Sequence, residues 1–133
     1  MSYCRKKRFD GNPGDTVFFD EMYQQTWHLW VVLTSPQGDT AKSVMVNLTS
    51  KSSHSDRTVV LHKGDHPFIE HATVVNYRAA RFVNVDEVKK QIRNNMLTAD
   101  YPFEPDVLKR IQDGILRSPW TRLRIKEYCA ERL

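Results

Sequence analysis

Residues Ala72 to Ile92 read ATVVNYRAARFVNVDEVKKQI. As far as Val83 the segment is dominated by β-branched and aromatic residues, so ATVVNY and AARFV read as strands. After Asn84 the period changes. Val85, Val88 and Ile92 recur at helical spacing, Asn84 supplies a capping side chain, and Glu87 follows three residues later. Strands therefore end and helices begin at Asn84, and that switch decides the fold class.

Working outward, the upstream sequence repeats the strand pattern. DTVFF at 15–19, WHLWVVLT at 27–34, KSVMVNL at 42–48 and RTVVL at 57–61 are strand-like. They are separated by SPQGD, by the polar loop TSKSSHSD and by HKGDHP, all rich in turn formers. Downstream, EPDVLKRIQDGILRS places Val107, Leu108, Ile111 and Ile115 on one helical face, with Pro105 suited to the first turn. The last segment, SPWTRLRIKEYCAERL, alternates Leu123 and Ile125 with basic residues as a strand would, but is read here as a helix. Strands followed by helices define an α+β domain: a five- to seven-stranded, strongly bent antiparallel sheet with helices at its C-terminal end. One domain over 1–133 is expected, with a flexible basic arm (1–13), barrel strands (14–83) and a helical part (84–133).

Bulk properties narrow the function. An apolar content of 40% supports a packed core, and charged residues interrupt every apolar run, so no membrane association or secretory signal is expected. Cys4 and Cys129 lack metal-ligand spacing and read as free thiols of a cytoplasmic protein. The net charge of +4 favours polyanionic partners. RKKR at 5–8 and RLRIK at 122–126 are its densest clusters; the plain alternative is a solvated surface.

The order of short motifs resembles the MazF/PemK family, the toxin component of bacterial type II toxin–antitoxin pairs. Gly14, Asp15, Thr16 and Val17 are similar to the family's opening GD-x-V strand. HLWVVL stands where the family has R-P-x-x-V-L, and NLTSKSSHSDRTVVL fits its third strand, polar loop and V-V-L strand. The likeness spans roughly residues 14 to 117. It implies an SH3-like barrel, metal-independent endoribonuclease activity without a cofactor, RNA as substrate, a homodimer and an antitoxin partner. The family pairs an arginine with a Thr or Ser ending the third strand. Thr49 carries over, with Ser50 beside it, but His28 stands in the arginine's place and Leu29 in the proline's.

Cleavage of RNA without a metal needs a base for the 2′-hydroxyl proton, an acid for the leaving 5′-oxygen, and donors for the charge at phosphorus. His28 suits either proton-transfer role, and Thr49 and Ser50 can donate to a phosphate oxygen. Lys51, His66, His71, Tyr77 and Arg78 fall where the barrel could gather them around RNA, and Trp27 or Trp30 could stack on a base. Each has a structural alternative: Thr49 as a plain β-former, His28 as a polar tip on an aromatic strand, His66 as a turn cap bonded to a backbone carbonyl. His66 and His71, five apart around Pro67, are poorly spaced for a metal, so none is expected. Phe68 and Ile69 are expected to anchor that segment in the core. Thr73, Val75 and Tyr77 share strand parity, and the two polar members predict a face only partly buried. The alternative to an enzyme is a catalytically inert barrel that binds nucleic acid or a protein, an alternative the missing arginine favours.

Overall fold

The period change at Asn84 is where the chain turns from sheet to helix. The computed structural model describes residues 6–21 and 26–133. Among them lie β1 (Thr16–Glu21), β2 (Thr26–Val32), β3 (Lys42–Ser50), β4 (Val60–Leu61), β5 (Thr73–Asn84), α1 (Val85–Arg93), β6 (Thr98–Asp100), α2 (Pro105–Arg117) and α3 (Leu123–Arg132). The strands form one sheet in the order β4-β5-β3-β2-β1-β6, every pairing antiparallel. It curls into a half-barrel with the helices packed on it. Three expectations shift in detail. RTVVL contributes only Val60 and Leu61 as a strand. ATVVNY and AARFV are one continuous twelve-residue strand. β6 comes from a stretch to which no strand was assigned from the sequence.

Helices pack on both faces of the sheet, though on the second face at one end only, and the central strands carry apolar residues on both sides. Leu29, Val31, Val44, Val46 and Leu48 pack with Val107, Ile111, Ile115, Ile125 and Cys129 beneath α2 and α3. Trp30, Val32 and Met45, of opposite parity, pack with Val85 and Val88 of α1 in a second cluster. β5 serves both. Its pairing with β3 slips between Met45 and Asn47, so residues 77–80 stand opposite Val46 alone. The bulge reverses the strand's parity. Val75 and Tyr77 face α2 and α3 as far as the start of the bulge, and Ala80 and Phe82 face the same way from its end.

This parity corrects one expectation. The face carrying Thr73, Val75 and Tyr77 is fully buried, with Tyr77 at 0% exposure. The Tyr77 hydroxyl donates to the Ile111 carbonyl at 2.8 Å, and burial pushes its pKa up.

The N-terminal arm is packed from residue 9 onward rather than loose. Phe9 is buried in the second cluster. Gly11, at φ +85°, lies so close to Val85 that a Cβ would overlap its Cγ1, so only glycine fits. The backbone N–H groups of Asp10 and Asn12 donate to the Asp15 carboxylate. Burial nevertheless raises the Asp15 pKa, because desolvation outweighs those bonds. Cys4 lies outside the described residues. Cys129 is a buried free thiol, and burial pushes its pKa up to about 11.

Candidate functional site

The second face is covered by α1 at one end only. At the other end a cavity of about 610 Å³ opens beside the C-terminal end of β3, lined by His28, Thr49, Ser50, Phe68, Glu70 and His71 among others. A neighbouring cavity of about 520 Å³ shares Thr49 and Ser50 and continues to His54, Asn76, Arg78 and Trp120. The two are therefore one continuous surface divided by the end of β3.

Strand pairing explains the gathering. β2 and β3 are adjacent and antiparallel, with Trp30 opposite Asn47. That register brings the start of β2 alongside the end of β3. The His28 Nδ1 lies 3.1 Å from the Leu48 carbonyl oxygen. A carbonyl can only accept, so Nδ1 carries the proton and donates. In the neutral ring Nε2 is then the acceptor, the state a general base requires. His28 is half-buried, so its ring is fixed while its cavity edge stays reachable.

His71 comes from the loop before β5. Ser50 pairs with Thr73, and this closes the loop against β3. Its Nε2 lies 2.9 Å from the Ser50 hydroxyl. Ile69, buried two residues earlier, anchors the loop. Phe68 departs from expectation: it is 44% exposed, stands on the cavity wall, and meets Phe18 edge-on at 5.1 Å between ring centres.

Three residues assigned to RNA contact from the sequence lie in the core instead. Tyr77 points beneath α2, as described above. Trp30 is buried in the second cluster beside Phe19, with the Arg81 guanidinium over its ring at 4.2 Å. His66 is also buried. Its Nδ1 accepts from the Phe68 N–H at 3.0 Å, so Nε2 carries the proton and donates to the Tyr101 carbonyl at 2.7 Å. Its ring packs on Phe103. His66 thus ties the turn to the segment before α2, the carbonyl-bonding alternative read from the sequence. The Trp27 side chain lies outside the described residues.

His28, Thr49, Ser50 and His71 do share a cavity, and Arg78 stands in the adjoining one. Lys51 is exposed just past β3, lining neither, with its N–H bonded to the Ala72 carbonyl. Sequence reasoning missed Glu70 as a cavity-lining group and Trp120 altogether. A tryptophan after Ser-Pro beside basic residues was the available signal for the latter. Among the described residues no group of three or more His, Cys, Asp or Glu is placed to hold a metal ion.

The site belongs to a class defined by its parts: two histidines and two hydroxyls at the open end of an antiparallel half-barrel. In comparisons with known proteins, no family model, no curated protein and no solved structure matches the chain.

Proposed function

We propose that the protein is a metal-independent endoribonuclease whose site is the His28–His71 cavity. The observation that carries this reading is the pairing of two histidines, held by separate elements, on one cavity with Thr49 and Ser50. In the proposed reaction the His28 Nε2 takes the 2′-hydroxyl proton, and the 2′-oxygen attacks phosphorus. The bond from phosphorus to the 5′-oxygen breaks, and the 5′-oxygen receives a proton from His71. The products are a 2′,3′-cyclic phosphate and a 5′-hydroxyl. Thr49 and Ser50 donate to the non-bridging oxygens as charge builds there. On the resemblance of the strand motifs, the half-barrel is read as SH3-like and the protein as a cytoplasmic MazF/PemK-like toxin. That reading adds a homodimer and an antitoxin partner.

One observation favours the second reading, an inert barrel that binds nucleic acid. Among the described residues no lysine or arginine lines the His28 cavity, and Glu70 does, so the described groups that meet charge at phosphorus are histidine, hydroxyls and Arg78 next door. The two readings separate on incubation of purified protein with mixed single-stranded RNA in EDTA. Cleavage to cyclic phosphate ends is expected, with DNA of the same sequence left intact for want of a 2′-hydroxyl. His28→Ala and His71→Ala should each slow cleavage by about a hundredfold or more. RNA left whole, or cut equally fast by both variants, removes the nuclease reading.

A further inference from the structure

Trp120 is a large aromatic residue left half exposed on a firmly held turn. Its backbone N–H donates to the Ser118 hydroxyl at 3.1 Å, and that hydroxyl donates to the Asp56 carboxylate at 2.5 Å. The other Asp56 oxygen accepts from the Thr58 N–H and hydroxyl. The Ser118 carbonyl accepts from Lys126 at 3.0 Å, and Arg122 donates to the Ala80 carbonyl at 2.6 Å. The turn is thus tied to the loop after β3, to α3 and to β5. Above it the Arg78 guanidinium lies 4.1 Å from the indole centre. Arg78 is itself exposed, and Asp56 lines the same cavity.

An immobile aromatic with a stacked cation is suited to a flat, electron-rich ring attached to a phosphate. The ring extends the stack and the charge meets the phosphate. This pair lines the cavity that shares Thr49 and Ser50 with the histidine site. We infer that Trp120 and Arg78 form a stacking subsite for one nucleobase of single-stranded RNA, flanking the bond that is cut. The inference rests on the RNA reading above, but it concerns binding rather than cleavage. Asp56, whose oxygens are already engaged by three donors, serves to hold the platform.

The test uses a short fluorescent oligonucleotide with 2′-fluoro groups throughout, which cannot be cleaved because it has no 2′-hydroxyl. Binding is read by anisotropy. Trp120→Ala should weaken binding by about tenfold or more, the usual cost of losing one stacked base. Trp120→Phe should stay within about threefold. Abasic replacement along the oligonucleotide provides a control that leaves the protein unchanged. One position should weaken wild-type binding as much as Trp120→Ala does, with no further loss in that variant. Undiminished binding by Trp120→Ala, equal loss in Trp120→Phe, or no binding by wild type overturns the subsite. Trp120-dependent binding with the matching RNA left uncut supports the subsite and removes the nuclease reading. Cleavage with Trp120→Ala binding normally does the reverse.

Discussion

Gly114 shows how closely the core is fitted at a single residue. It lies inside α2, where glycine is a poor helix former, and exchange to alanine should gain about 1 kcal/mol from propensity alone. Packing opposes that gain. A Cβ at Gly114 would overlap the Tyr77 hydroxyl and come within 2.6 Å of the Val59 Cγ2. Overpacking of this kind costs about 1–3 kcal/mol or more, and displacing Tyr77 from the Ile111 carbonyl costs about 1 kcal/mol further. Gly114→Ala should therefore destabilise the protein by about 2 kcal/mol in urea unfolding. Tyr77→Phe alone should cost about 1 kcal/mol, and the double variant less than the sum, because the nearest overlapping atom is gone. A more stable Gly114→Ala would show that propensity wins and that the Tyr77–Gly114 contact is looser than described. None of this was legible in the sequence. Tyr77 reads there as a polar residue on a half-buried face, and nothing marks Gly114 as its seat.

At the scale of elements, the turn from β5 into α1 was legible because two signals coincide. The apolar period changes, and an asparagine stands at the junction. The Asn84 side chain accepts from the Glu87 N–H at 3.1 Å. The Glu87 carboxylate does not complete the box but accepts from Gln91. Asn84→Ala should then cost about 1 kcal/mol, the usual value of such a cap. Faster amide hydrogen exchange should appear first in α1, the helix whose Val85 and Val88 close the second core cluster. Exchange altered equally in α2 would mean that the cap holds the whole fold rather than one helix. The bulge in β5 was illegible for a physical reason. NYRAAR carries no glycine or proline to mark it, and the slip exists only because β3 supplies one residue where β5 supplies four. The candidate site divides along the same line. His28 and Thr49 came together because adjacent strands make neighbours of motif positions. Trp30, Tyr77 and His66 went to the core because which face they take depends on register and packing.

At the scale of the whole molecule, two buried groups, the Tyr77 hydroxyl and the Cys129 thiol, are held toward their neutral forms, and both act on the alkaline side. Cys129 is buried on the inner face of α3 and its pKa is pushed up to about 11 from 9.0. Tyr77 is raised further, first by burial and then by the charge of Asp56. Well below pH 9 both groups are protonated in the folded and unfolded chains, and pH does not act through them. Between pH 9 and about 11 the unfolded chain releases the Cys129 proton while the folded chain keeps it, so stability falls as pH rises. The loss is on the order of 2 kcal/mol from the thiol, at about 1.4 kcal/mol per unit of difference. From pH 10 upward Tyr77 adds a loss of the same sign. Asp15, also raised by burial, acts in the same direction in the acid range, where stability falls with rising pH as the unfolded chain ionises first. Urea unfolding at pH 8 and at pH 10.5 should thus show a marked loss of stability in the wild type. Cys129→Ala should lower stability at both values through the lost packing, yet show a shallower decline between them, and Tyr77→Phe should leave the early part of the decline in place. The comparison is one of slopes, so the fixed cost of each substitution cancels. An unchanged slope in Cys129→Ala would mean that the thiol is more accessible to water on α3 than its place in the core allows.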